Sequence, residues 1–244
     1  MGLGIVWTLT SNGYKYYTLN LLETLKKLGV QWSLHVYCAD RASYTFFRRE
    51  GWSNIYMVEN PMPDAGAGVV KFGTERFQTL NRKKLDQLRK FALDETLDYC
   101  IYMDGDIAVY RDFLPDILER LGSEGAPGLV AMCDEYTNAE PCLGIACKHI
   151  CSGFLAWRRG GVPADVFRVH DVALWAQEPE DQRWINRALR AQGVAYTALP
   201  RDLYPNGIFR RLPVGDAFLL HYNYIVGDAK QKAMKLKGDW ILPY

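Results

Sequence analysis

The chain predicts an α/β domain in which a mixed, largely parallel sheet is flanked by helices. Three observations carry that expectation. Short apolar runs of strand length alternate with longer segments of helical periodicity from the first residues onward, the pattern of strand–helix–strand units. One of those runs, Cys100 to Met103, reads as a buried strand ending at two carboxylates, as at the ligand-binding strand ends of α/β sheets. The 244 residues contain no internal repeat, linker or low-complexity tract, so residues 1–244 read as one domain with material for a substantial core.

The elements follow in order. Residues 5–9 are a first strand. Residues 17–28 set Leu21, Leu22, Leu25 and Leu28 on one helical face and stop at Gly29, a usual helix terminator. Residues 33–37 and 55–58 are further strands, with a helix at 43–49 between them. Residues 77–93 form a longer amphipathic helix carrying Leu80, Leu85, Leu88 and Phe91. A buried strand at 100–103 follows and ends at Asp104, after which 107–110 is apolar again. Residues 114–121 are a helix and 128–133 a strand. The stretch 135–148 mixes Asn, Pro, Gly and Cys and reads as a loop at the active site. Residues 154–157 are a strand and 163–175 a helix. A further helix at 180–192 turns Trp184, Ile185, Ala188 and Leu189 inward. A strand at 194–199 and a turn-rich stretch at 200–213 come next, and Phe218 to Leu220 lead into His221 and a basic C-terminal segment.

Composition excludes several classes. Hydrophobic residues make up 49% and charged residues 23%, ordinary for a globular protein. A formal charge of +1 offers no global attraction to nucleic acid or anionic membrane. The local clusters Arg82 to Lys84 and Lys230 to Lys237 read mostly as solvated helix faces. No run of 18 apolar residues is present, no secretory leader precedes the first strand, and no asparagine lies in an Asn-x-Ser/Thr acceptor. The expected setting is therefore cytoplasmic, with no transmembrane segment and no nucleic-acid partner. Cys38, Cys100 and Cys133 read as buried apolar residues, and Cys142, Cys147 and Cys151 as unpaired thiols, since the paired spacing of a zinc site is absent.

Asp104-Gly105-Asp106 stands out because apolar runs enclose it. Two carboxylates one residue apart are costly to bury unless a positive group holds them. A divalent cation is a usual answer, and strand ends in α/β sheets are where ligands bind. From the tripeptide alone, a solvated acidic turn explains the pair equally well. His221 also ends an apolar run, and an imidazole completes a manganese site begun by carboxylates. Gly227 and Lys230 follow it, residue types that admit and neutralise a diphosphate.

In that order the residues resemble the GT-A glycosyltransferases of the nucleotide-diphospho-sugar transferase type, which include retaining viral and plant sugar transferases. The resemblance runs nearly end to end. It rests on Leu9 to Tyr14 as the first strand-to-helix turn and Tyr102 to Asp106 as the Asp-x-Asp strand. It continues through Cys151-Ser152-Gly153-Phe154 and through Asp181-Gln182 with Asn186, and ends with His221, Asn223, Gly227 and Lys230 as the C-terminal His-x-Asn-x-x-x-Gly element. It departs from the family at Cys151, where Asn is more frequent.

The resemblance implies roles. Asp104, Asp106 and His221 would bind Mn²⁺ (or Mg²⁺), with Asp104 also on the ribose. Gly227 and Lys230 would hold the diphosphate of a UDP-sugar. Thr10, Asn12, Tyr14 and Asp40 would meet base and ribose, and Lys84 the donor phosphate or sugar. Asp181 and Gln182 would line the donor sugar or a carbohydrate acceptor, with Asp181, Gln182 and Lys230 as the catalytic set. It implies transfer of a hexose or pentose to an acceptor hydroxyl with retention. Two other readings stay open from the sequence: a nucleotidyltransferase that makes the sugar nucleotide, although Gly13-Tyr14-Lys15 is a poor phosphate loop, and a non-catalytic nucleotide-sugar-binding domain.

Overall fold

The computed structural model describes residues 2–64, 66, 68, 73–134, 149–207 and 213–243. Its elements in chain order are β1 (Gly4–Thr10), α1 (Lys15–Lys27), β2 (Ser33–Asp40), α2 (Arg41–Arg49), β3 (Ile55–Met62), α3 (Glu75–Ala92), β4 (Tyr99–Met103), β5 (Ile107–Val109) and α4 (Leu114–Gly122). They continue with β6 (Leu129–Cys133), β7 (Ile150–Arg158), α5 (Val172–Gln177), α6 (Asp181–Ala191), β8 (Thr197–Leu199), β9 (Leu219–His221) and α7 (Asp228–Lys237).

Seven strands form one sheet in the order β3-β2-β1-β4-β7-β6-β8. Its pairs are parallel except those of β7, which runs against both β4 and β6. Successive side chains of a strand point to opposite faces, and here both faces are covered. Ile5, Trp7, Cys100 and Tyr102 pack with Leu85, Leu88 and Phe91 of α3. Val6, Ile101 and Met103 pack with Leu21 and Leu25 of α1 and with Phe113 and Ile117 around α4. That two-sided cover explains why all seven residues of β1 are buried. Pro61 lies in β3, an edge strand, where its missing N–H costs no ladder bond.

Two departures from the expected elements bear on the site. Residues 107–109 leave the main sheet and pair antiparallel with β9, so that Ile107 faces His221. The helix expected over 163–175 is two pieces, a 3-10 turn at Ala164–Phe167 and α5. Val166 and Phe167 are buried in the core while α5 buries nothing, and Asp171 restarts the helix by accepting from the Leu174 N–H. Cys38, Cys100 and Cys151 are free and buried, as expected. Cys133, expected as a plain buried thiol, is disulfide-bonded. Cys142, Cys147 and the loop expected at 135–148 lie outside the described residues, as do 208–212 of the turn-rich stretch. Among the described residues no helix is long and apolar enough to cross a membrane.

Candidate active site

Asp104 follows the last residue of β4, and its backbone N–H donates to the Gly153 carbonyl at 2.7 Å. The β6–β7 register shifts between Ala131 and Met132, and this bulge turns Ser152 and Gly153 of β7 toward the end of β4. The chain then turns at Gly105, where a Cβ would lie 2.4 Å from Thr18 Oγ1 on α1. Only glycine fits, and the tight turn leaves both Asp104 and Asp106 lining one cavity.

The β5–β9 ribbon delivers His221. Its Nε2 lies 3.1 Å from Asp106 Oδ1 and 3.6 Å from Asp104 Oδ2. Gly153 admits the ring, since a Cβ there would sit 2.1 Å from His221 Cε1. Lys230, in the first turn of α7, donates to Asp106 Oδ2 and is 6% exposed. Gly227 opens that helix at φ 59° and ψ −147°, a region reserved for glycine. Burial opposes the Asp106 charge, yet Lys230 and His221 hold its carboxyl far below the carboxylate range. Burial likewise opposes a charged His221, and Asp106 carries it well above the ordinary histidine value.

A second ionic cluster borders the first. Lys84, buried on α3, reaches Asp181 Oδ2 at 2.7 Å, Asp104 Oδ1 at 3.1 Å and Ser152 Oγ at 3.3 Å. Ser152 Oγ–H in turn donates to Asp181 Oδ2 at 2.7 Å. Burial works against each charge, but Asp104 and Asp181 raise the Lys84 pKa and Lys84 lowers that of Asp181. Gln182 is held at both ends: its Oε1 accepts from the Ser152 N–H at 3.2 Å and its Nε2 donates to Asp134 Oδ2 at 2.5 Å. Asn186, one turn further along α6, brackets Ile150 by accepting from its N–H and donating to its carbonyl. The Asp-Gln-x-x-x-Asn pattern thereby ties α6 to the start of β7.

These groups line a cavity of about 1150 Å³. Of the expected site residues, Tyr14, Lys84, Asp104, Asp106, Asp181, Gln182, His221 and Lys230 are on its wall. Thr10, Asn12, Asp40 and Gly227 are not among the lining residues. Thr10 accepts from the Thr18 hydroxyl and is fully buried. Asp40 caps α2 at Ser43, accepts from the Asn12 N–H and pairs with Arg76 at 3.0 Å. Both shape the first strand-to-helix turn from below. Burial, followed by Asp106 and Asp104, holds the Tyr14 phenol above its usual pKa.

Sequence reasoning gave no role to Asp134 or to the Tyr102 hydroxyl, both on the wall. Asp134 directly follows the apolar β6, the same signal that marked Asp104 after β4, and accepts from Gln182 and from the Tyr224 hydroxyl at 2.6 Å. Burial raises its pKa. Tyr102, whose hydroxyl donates to Asp104 Oδ1, carried no signal beyond its place in a strand.

One ligand atom from each of Asp104, Asp106 and His221 lies within 4.8 Å of the others. Two hard carboxylates with one imidazole are a donor set suited to manganese or a similar cation. A side chain at Gly153 would occupy the space of the His221 ring and crowd Asp104. The residues present fit a divalent metal.

No protein-family model matches the sequence, and no curated protein does. Solved structures do. The galactosyltransferase LgtC, in complex with donor and acceptor sugar analogues, aligns over 98% of this chain and 96% of its own, with 14% identity and a TM-score of 0.56. A glycosyltransferase involved in glycosylation of the major capsid of PBCV-1 aligns over 96% of this chain and 98% of its own, at 12% identity and a TM-score of 0.55. The glycosyltransferase GlyE of Streptococcus pneumoniae TIGR4 aligns over 96% of this chain and 60% of its own, at 13% identity and a TM-score of 0.57. What is shared at such identities is the fold. The chain has the GT-A fold that the sequence resemblance led us to expect, with an Asp-x-Asp pair beside His221.

Proposed function

We propose that this protein is a metal-dependent glycosyltransferase that moves a sugar from a nucleoside-diphosphate sugar, UDP-linked, to an acceptor hydroxyl with retention of configuration. The observation that carries the reading is the convergence of Asp104, Asp106 and His221 on the wall of a large cavity, with Lys84 and Lys230 beside them. A metal held by those three residues would supply Lewis-acid neutralisation of the diphosphate. Thr10, Asn12 and Asp40 order the turn around the nucleotide, and Tyr14 on the cavity wall borders it.

In the transfer, the bond between the anomeric carbon and the β-phosphate oxygen breaks and its electron pair stays on that oxygen. The acceptor oxygen bonds to the anomeric carbon from the same side, and its proton passes to the departing phosphate. Lys230 stabilises the charge that grows there. Lys84 and Asp181 orient the donor sugar. Both side chains meet at Asp181 Oδ2, together with Ser152 Oγ, so that oxygen is already engaged.

The test is thermal shift with UDP-, GDP- and TDP-sugars, with and without Mn²⁺. Saturation at a hundredfold Kd stabilises a native state by about 2.7 kcal/mol, roughly 5–10 °C for a domain of this size. The expected result is a UDP-sugar shift that requires Mn²⁺ and disappears in Asp106→Asn. Equal shifts in EDTA and in Mn²⁺ refute the metal dependence. A transfer assay with the stabilising donor then separates enzyme from binding domain.

A further inference from the structure

Cys151 lies at the second position of β7, opposite Met132 and at the edge of the bulge that aims Ser152 and Gly153 into the cavity. It is 1% exposed and free. Its Sγ lies 3.4 Å from His221 Nδ1. His221 has no other hydrogen-bond partner at Nδ1 among the described residues, while its Nε2 faces Asp106 and Asp104. The sulfur is itself braced by Asn223, whose Nδ2 donates to it at 3.7 Å. The ring lies against the bare backbone of Gly153, where a Cβ would fall 2.1 Å from Cε1 and 2.7 Å from Nδ1.

A histidine that ligates a metal through one nitrogen is set in tautomer and orientation by the hydrogen bond at the other. Carboxylates, carbonyls or water usually accept that second bond. At this site a buried sulfur stands in that place. We infer that Cys151 is the positioning residue of the metal site: its sulfur accepts the Nδ1–H of His221, which keeps the Nε2 lone pair directed at the cation held by Asp104 and Asp106. This inference rests on the metal-binding reading above and deepens it. It assigns Cys151 a role through His221, not contact with the substrate.

The test uses the full chain with Cys151→Ala and Cys151→Ser. Alanine removes the acceptor and leaves a buried Nδ1–H unpaired. Serine keeps an acceptor in nearly the same place, with less reach. Mn²⁺ affinity is read from the free-ion electron paramagnetic resonance signal without nucleotide. Long-range nitrogen-15 spectra of the Mg²⁺-loaded protein report which nitrogen of His221 carries the proton. Loss of an outer partner of this kind costs about 10–100-fold in metal affinity. The expected result is a loss in that range for Cys151→Ala, with substantial recovery in Cys151→Ser and the Nδ1–H tautomer in the wild type. A side chain that merely fills space would leave alanine and serine alike. Wild-type-like Mn²⁺ affinity in Cys151→Ala, or proton occupancy at Nε2 in the loaded wild type, overturns the inference while leaving the metal reading intact. Failure of the wild type to bind Mn²⁺ both alone and with UDP present overturns both.

Discussion

Replacing Lys84 with methionine keeps the stem and removes one charge from between two carboxylates. At an effective dielectric of about 20, contacts of 2.7 Å to Asp181 and 3.1 Å to Asp104 represent roughly 5–6 kcal/mol of gross attraction each. Most of that offsets the desolvation of three confined charges, so it is not the net worth of the cluster. What the variant exposes is the other side of the balance: Asp181 and Asp104 side chains, 12% and 29% exposed, left without their cation. Breaking a buried pair in this way costs about 3–5 kcal/mol. In a domain of this size that is roughly 6–20 °C in Tm. The pH dependence gives the signature. In the wild type, Asp181 titrates below its unfolded value, so its contribution is complete above the ordinary carboxylate pKa and is lost as the pH falls through the lowered folded one. In Lys84→Met, burial, the largest influence on Asp181, is opposed only by the hydrogen bonds from Ser152 and Gln182 and raises its pKa, so the variant gains stability as the pH falls through that raised value. The Tm deficit, read by differential scanning fluorimetry, should therefore be large at pH 7 and narrow toward pH 4. Lys84→Met/Asp181→Leu should recover part of the loss, because contacting groups are not additive. A deficit under about 2 °C at pH 7, or one that does not change with pH, refutes the reasoning.

Three other outcomes are expected. Lys230→Ala should lower kcat by about 10²–10³ with donor KM moving less, since charge on the leaving phosphate grows as the sugar departs; steady-state kinetics with a wild-type kcat would remove Lys230 from that role. Gly153→Ala should abolish Mn²⁺ binding, because its Cβ would fall 2.1 Å from His221 Cε1 and 2.8 Å from Asp104 Oδ2; calorimetry that returns wild-type affinity would show that the ring has room to move. Cys38 should resist iodoacetamide in the native protein at pH 8, since burial pushes its thiol up to about 12; peptide mapping that finds it alkylated would show that the core under α2 opens.

How much of this was legible in the sequence depends on the range over which each feature is encoded. The strand at Asp104 and the helices at α1, α3 and α6 are local events, set by apolar periodicity and by terminators such as Gly29, and they fall where the pattern put them. Strand direction is not written in that pattern. A continuously apolar run reads the same both ways, so nothing in residues 154–157 announced that β7 opposes its neighbours. The reversal matters to the site, because it is the start of β7, not its end, that meets Asp104 and carries Ser152 and Gly153 there. The break at 168–171 was hidden for a related reason: Val166 and Phe167 satisfy a helical spacing, but their burial in the core is a tertiary fact. Among charged groups, Asp104 and Asp106 could be singled out because a carboxylate inside an apolar run is expensive wherever the chain goes. Lys84 and Lys230 sit on helices whose other lysines and arginines look alike by charge and periodicity; the family resemblance singled these two out, and the fold buries each against an acid. Thr10 and Asp40 show the converse. The resemblance assigned both to base and ribose, and the structure places them off the cavity wall, with Thr18 bonded to one and Ser43, Asn12 and Arg76 to the other. A polar residue at a strand end therefore indicates the neighbourhood of a site. Whether it touches the ligand or holds up the loop that does is decided by partners far away in the chain.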